Sequence, residues 1–120
     1  MDFQGLKIEN NELYKEVLKT ALTWKNSDNL MFVVGATKAE FLAEIRKIIP
    51  DSFLLVPGVG AQGGSLEEVC KYGITKNIGL LINSSRGIIY ASNNENFASE
   101  ASLKASQLQT QMEVILNKLS

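Results

Sequence analysis

The 120-residue chain has no histidine, a single cysteine, two prolines and no surplus of either charge, with 12 basic against 13 acidic side chains. Without histidine, Ser-His-Asp and Cys-His nucleophile pairs are excluded, as is every metal site that uses imidazole. A lone Cys70 allows neither an internal disulfide nor a CxxC pair, which suits a reducing compartment. A nucleic-acid-binding domain should show clustered Lys and Arg on a basic background, and a formal net charge of −1 gives no such footprint. The longest apolar runs, around residues 30–36 and 53–61, are far too short to span a bilayer. Met1-Asp2-Phe3-Gln4 lacks the basic and apolar regions of a signal peptide. The expectation is a soluble cytoplasmic protein with no membrane or nucleic-acid partner.

What is present is enough apolar material for a core. The hydrophobic fraction is 45%, and a chain of this length can bury roughly two thirds of its unfolded surface. Leu13, Tyr14, Val17, Leu18, Ala21 and Leu22 recur at helical spacing over residues 13–24, opposite Glu12, Lys15, Glu16 and Lys19. Turn chemistry at Asn26-Ser27-Asp28-Asn29 ends that helix. Leu30-Met31-Phe32-Val33-Val34 then reads as a short strand apolar on both faces.

Thr37-Lys38-Ala39-Glu40 has capping-box spacing and predicts a helix with the stripe Phe41, Leu42, Ile45, Ile48 and Ile49, stopped by Pro50. Phe53 to Val56 is a second buried strand. Ser65-Leu66-Glu67-Glu68 predicts another capped helix, closed by Gly73, and Ile78 to Ile82 a third strand. A loop over Ser84 to Gly87 and a turn at Asn93-Asn94 lead to a long helix with the stripe Phe97, Ala101, Ala105, Leu108, Met112, Ile115 and Leu119. Buried strands alternating with amphipathic helices predict one α/β unit with a parallel sheet. Three such strands leave two open edges, an association hazard, so the sheet is expected to be completed by further polypeptide or by another copy of the chain.

Two segments carry chemistry. Pro57-Gly58-Val59-Gly60-Ala61-Gln62-Gly63-Gly64 lies between a strand and a capped helix, and Gly58, Gly60 and Gly63 satisfy GxGxxG. A dinucleotide site also needs an acidic residue at the end of the next strand, and residues 78–90 contain no Asp or Glu. The loop still suits an anion, because glycines let main-chain amides approach it and the following helix adds partial positive charge. The bland alternative is a tight turn whose glycines only relieve sterics. Ser84-Ser85-Arg86-Gly87 follows the third strand, where a guanidinium can grip a phosphate dianion at several oxygens. In (β/α)-barrels a phosphate site often lies between the loops after the last two strands.

The segments Val33-Val34-Gly35-Ala36-Thr37, Ile45-Arg46 with Pro50, Leu55 to Gly64, and Ser85-Arg86-Gly87-Ile88-Ile89-Tyr90-Ala91 together resemble the longer bacterial type of the orotidine 5'-phosphate decarboxylase family. The resemblance runs from Asp2 to roughly the final helix. It implies a partial (β/α)8 TIM barrel: residues 1–120 would be a single C-terminal barrel fragment from helix 5 through helix 8, with the strands as the sixth, seventh and eighth. It further implies that Gln62 bridges the phosphate and pyrimidine of the substrate. Arg86 would clamp the phosphate with amides near Gly63, Gly64, Ser85 and Arg86, while Pro57 and Gly58 line the pyrimidine pocket. The reaction implied is conversion of orotidine monophosphate to uridine monophosphate and carbon dioxide, with neither metal nor organic cofactor.

The family's catalytic Asp-x-Lys-x-x-Asp element has no match in these residues, so no catalytic residue is assigned and the isolated chain is expected to be inactive. The partners implied are the nucleotide, the N-terminal barrel half or another copy of the chain, and a homodimer for the complete enzyme. Two readings compete: a non-catalytic phosphate- or nucleotide-binding module, and a purely structural fragment whose sheet edges drive self-association.

Overall fold

A computed structural model describes residues 5–60 and 63–119. The chain opens with a small antiparallel hairpin, β1 (Lys7–Ile8) and β2 (Asn11–Glu12), turning through Glu9 at φ +56°. Two residues per strand are too few to show alternation in the sequence. Helix α1 (Leu13–Leu22) follows and buries Leu18 and Ala21. Strand β3 (Met31–Val33), helix α2 (Glu40–Ile48), strand β4 (Phe53–Pro57), helix α3 (Leu66–Gly73) and strand β5 (Leu80–Asn83) make two β-α-β units. A short helix α4 (Ser85–Ile89) and the long helix α5 (Phe97–Leu119) complete the chain.

The three strands pair in parallel in the order β3-β4-β5, with Val33, Leu55 and Leu81 side by side and Pro57 beside Asn83. Sequential order with crossovers of one hand puts the connecting helices on one face of the sheet, as in a singly wound barrel. A doubly wound sheet would reverse order and carry helices on both faces. Helix α2 packs on α1 and α3, and α3 on α5. Under that layer Leu42, Ile49, Leu54, Val56 and Val69 are fully buried, each contributing roughly 1.5–3 kcal/mol through removal from water.

The expectation that the strands are covered on both faces is corrected. Leu54 and Val56, facing the helices, are 0% exposed, whereas Met31 and Val33 are 56% and 69% exposed on the other face and Leu81 is 52% exposed. The strands are apolar on both sides, but only one side has a cover within this chain. The surface area is accordingly 8364 Å², against roughly 6,400 Å² for a compact monomer of 13 kDa. The radius of gyration, 16.4 Å, likewise exceeds the ~14 Å of a compact domain this long.

Local boundaries differ from the sequence reading at three places. The Thr37 capping box does not form: residues Ala36–Lys38 make a 3₁₀ turn and α2 starts at Glu40, because Ala36 and Ala39 are drawn into the core. Ser65 does cap α3, its hydroxyl accepting from the Glu68 amide. Ile78 belongs to a turn rather than to the third strand. It sits at φ +69° and exchanges both backbone hydrogen bonds with Thr75, so β5 starts two residues later. The expected loop over Ser84 to Gly87 contains the start of α4, whose five residues are too few for a periodic signal. In α5, Leu108, Met112 and Ile115 pack on the core, while Phe97 and Leu119 at its ends are exposed. No described helix is long and apolar enough to cross a membrane.

Candidate functional site

Parallel strands deliver their C-terminal ends to one side of the sheet, so the segments after β4 and β5 meet there. Between them is an open cleft of about 250 Å³, walled by Pro57, Gly58 and Val59 on one side and residues 83–87 on the other. That is just under the usual size of a small-molecule site, roughly 300–1,000 Å³, and fits a site with one wall missing. The Ser84 hydroxyl donates to the Val59 carbonyl at 3.0 Å and stitches the two segments together.

The glycine pattern has a conformational cause. Gly58, Gly60 and Gly63 lie at φ +92°, +83° and +84°, where side chains are strained. Gly64 is required for a different reason: a Cβ there would come 2.5 Å from Ala36 Cβ and 2.7 Å from the Gly58 carbonyl oxygen. The loop after β3 therefore packs directly beneath the glycine loop. Several of the loop's amides are already used. Gly60 N–H donates to the Gly64 carbonyl, Gly63 N–H to the Gly60 carbonyl, and Gly64 N–H to the Gly58 carbonyl at 3.3 Å.

The residues singled out by sequence thus separate into groups. Pro57, Gly58, Ser85 and Arg86 line the cleft together, whereas Gly63 and Gly64 do not and their amides serve the loop. Gln62 lies outside the described residues. The structure adds Asn83 and Ser84 to the cleft. Their signal in the sequence is position alone, two polar side chains directly after the apolar run that ends at Ile82.

Arg86 is exposed in the first turn of α4 and makes no side-chain hydrogen bond or ion pair with the described residues. First-turn amides of a helix have no intrahelical acceptor, and the first-turn residues Ser85, Arg86 and Gly87 line the cleft. No carboxylate lines the cleft among the described residues. The charge and donors here suit an anion. Cys70, the remaining reactive group, is buried in the core, which pushes its thiol pKa up and leaves it protonated and unreactive at neutral pH.

The opposite end of the sheet holds the other arginine. Arg46 donates from Nε to the Gly73 carbonyl at 2.7 Å, from Nη1 to the Ser52 and Ile49 carbonyls at 2.6 and 3.2 Å, and from Nη2 to the Gly79 carbonyl at 3.0 Å. Burial pushes its pKa down and Asp51 partly opposes this. One side chain thereby ties together the end of α2, the approaches to β4 and β5, and the end of α3. The sequence gives no sign of this role.

No family model matches the chain. It is 70% identical over 118 residues to the orotidine 5'-phosphate decarboxylase of Christiangramia forsetii, covering 98% of this chain and 43% of that protein. It is 63% identical over 116 residues to that of Flavobacterium johnsoniae, covering 97% of this chain and 42% of the relative. Among solved structures, the OMP decarboxylase of Leishmania donovani superposes with a TM-score of 0.70 at 32% identity, over 91% of this chain and 42% of its own. The UMP synthase of the same organism gives a TM-score of 0.70 at 36% identity, over 88% of this chain and 24% of its own. The chain spans about two fifths of the length of the curated relatives it matches, and its sheet is the corresponding part of a (β/α)8 barrel.

Proposed function

We propose that this chain, homologous over nearly its whole length to the C-terminal part of orotidine 5'-phosphate decarboxylases, supplies the phosphate- and pyrimidine-binding side of that active site. The complete enzyme would convert orotidine monophosphate to uridine monophosphate. In this reading residues 1–120 are one C-terminal barrel fragment, from helix 5 through helix 8. The observation that carries it is the cleft itself. The Pro57-Gly58 turn and Arg86, which has no partner among the described residues, face one space at adjacent strand ends, and no acid of the described residues lines it.

Pro57 and Gly58 would contact the pyrimidine, and Arg86 with the first amides of α4 would hold the phosphate dianion by charge-assisted hydrogen bonds. Gln62 would bridge the two. Gly63 and Gly64 would contribute amides only by exchanging the loop hydrogen bonds they now make. Phosphate contacts remote from the scissile bond can organise a site and stabilise a distant transition state. The residues that decarboxylate would come from elsewhere, since the Asp-x-Lys-x-x-Asp element is absent from these 120 residues. The open sheet face is where the N-terminal barrel half would close, and the complete enzyme would be a cytoplasmic homodimer.

The test is complementation. The chain is co-expressed with the N-terminal part of the Christiangramia forsetii relative, assembly is shown by sizing, and loss of orotidine monophosphate absorbance is followed. Decarboxylation by the assembled pair and none by the chain alone is the expected result; an assembled but inert pair overturns the reading. A non-catalytic nucleotide-binding module is the second reading, favoured by the combination of an anion cleft and no catalytic array. Useful affinity for uridine monophosphate in the isolated chain would support it.

A further inference from the structure

The uncovered sheet face is apolar along its length, through Met31, Val33, Phe53, Leu55 and Leu81, until Asn83. Register puts Asn83 beside Pro57, at the strand ends that wall the cleft. A carboxamide closing such a row is costly once covered unless its polar atoms are bonded. The Ser85 hydroxyl donates to Asn83 Oδ1 at 2.8 Å, and Nδ2 makes no hydrogen bond with the described residues. The amide is therefore held at one atom and has its donors free, three residues before Arg86 and level with Pro57.

We propose that Asn83 is a substrate-contacting, specificity-determining residue, donating from Nδ2 to an acceptor oxygen in the ester–ribose stretch of a nucleoside monophosphate. A ligand spanning from Pro57 to Arg86 must pass it, and neither end of the ligand needs it. Ser85 is then a positioning residue, acting through Asn83 by fixing which side of the amide faces the cleft. This inference rests on the nucleotide reading above and adds a contact between the two ends that reading assigns.

Binding of uridine monophosphate and of inorganic phosphate to the complete enzyme, measured by calorimetry, tests it. Asn83→Ala should weaken uridine monophosphate by roughly 3–10-fold, the scale of one neutral hydrogen bond, and leave inorganic phosphate within about twofold. Asn83→Asp should cost more than Asn83→Ala, because a carboxylate would face the dianion. Ser85→Ala should cost about 2–3-fold by itself and nothing further in Asn83→Ala, a non-additivity that two independent contacts would not show. Melting temperatures of all variants should match the parent. Unchanged uridine monophosphate affinity in Asn83→Ala, or an equal loss for inorganic phosphate, overturns the role of Asn83 and leaves the nucleotide reading standing. No uridine monophosphate binding by the parent enzyme removes both.

Discussion

Arg46 and Arg86, the only two arginines in the chain, stand at opposite ends of the same strand pair in opposite surroundings. Arg46 gives its donors to four main-chain carbonyls from three separate segments. Arg86 gives none to the described residues and faces an open cleft. A guanidinium with four of its five N–H donors spent on carbonyls fixes geometry and has little left to offer a ligand. An unsaturated one at a strand end contributes little to the fold and is free to bind. The side chain is the same, and the number of carbonyls within reach separates the two roles.

The sharpest way to break this contrast is to exchange the expected losses. Arg46→Ala should lower the stability of the complete enzyme by about 3 kcal/mol in urea unfolding, since several buried carbonyls lose their donor at once. The folded fraction should bind nucleotide as before. Arg46→Lys should recover little, because one ammonium cannot span carbonyls in three directions. Weaker nucleotide binding with intact stability would assign Arg46 to the site instead.

Arg86→Ala should do the reverse. Affinity for uridine monophosphate should fall by roughly 1.5–3 kcal/mol, the range for a hydrogen bond to a charged group, and stability should stay within about 0.5 kcal/mol. A ligand without phosphate should be barely affected; equal losses for both would make Arg86 structural. The smallest effect concerns the end that Arg46 holds. Ile78, β-branched at φ +69°, is strained, and Ile78→Asn should raise the unfolding midpoint by the equivalent of about 1 kcal/mol with binding unchanged. A fall in stability would show that the turn needs the apolar side chain.

Much of this was legible in the sequence where a residue type has one physical use. The stripe Phe41, Leu42, Ile45, Ile49, the Ser65 cap and the positive-φ glycines of the loop each follow from local chemistry. Two things were not. Two-sided apolar strands look alike whether a second layer covers them or an absent barrel wall does, so Val33 and Leu81 read as buried and are exposed. Long-range hydrogen bonding leaves no local mark either: Arg46 reaches Gly73 and Gly79, 27 and 33 residues away. The cleft was half legible, through Pro57, Gly58, Ser85 and Arg86, while Asn83 required the register of β4 against β5.

The contact between Ala36 and the space beside Gly64 matters for anyone redesigning ligand preference. Ala36 lies outside the cleft and looks like a harmless position to randomise, yet its methyl group already fills the volume a side chain at 64 would need. Any bulkier residue at 36 would push the glycine loop from below and move Gly58 with it. Mutant libraries aimed at the cleft should therefore freeze both positions, and natural sequences that enlarge one should be found to have given up volume somewhere in the other loop.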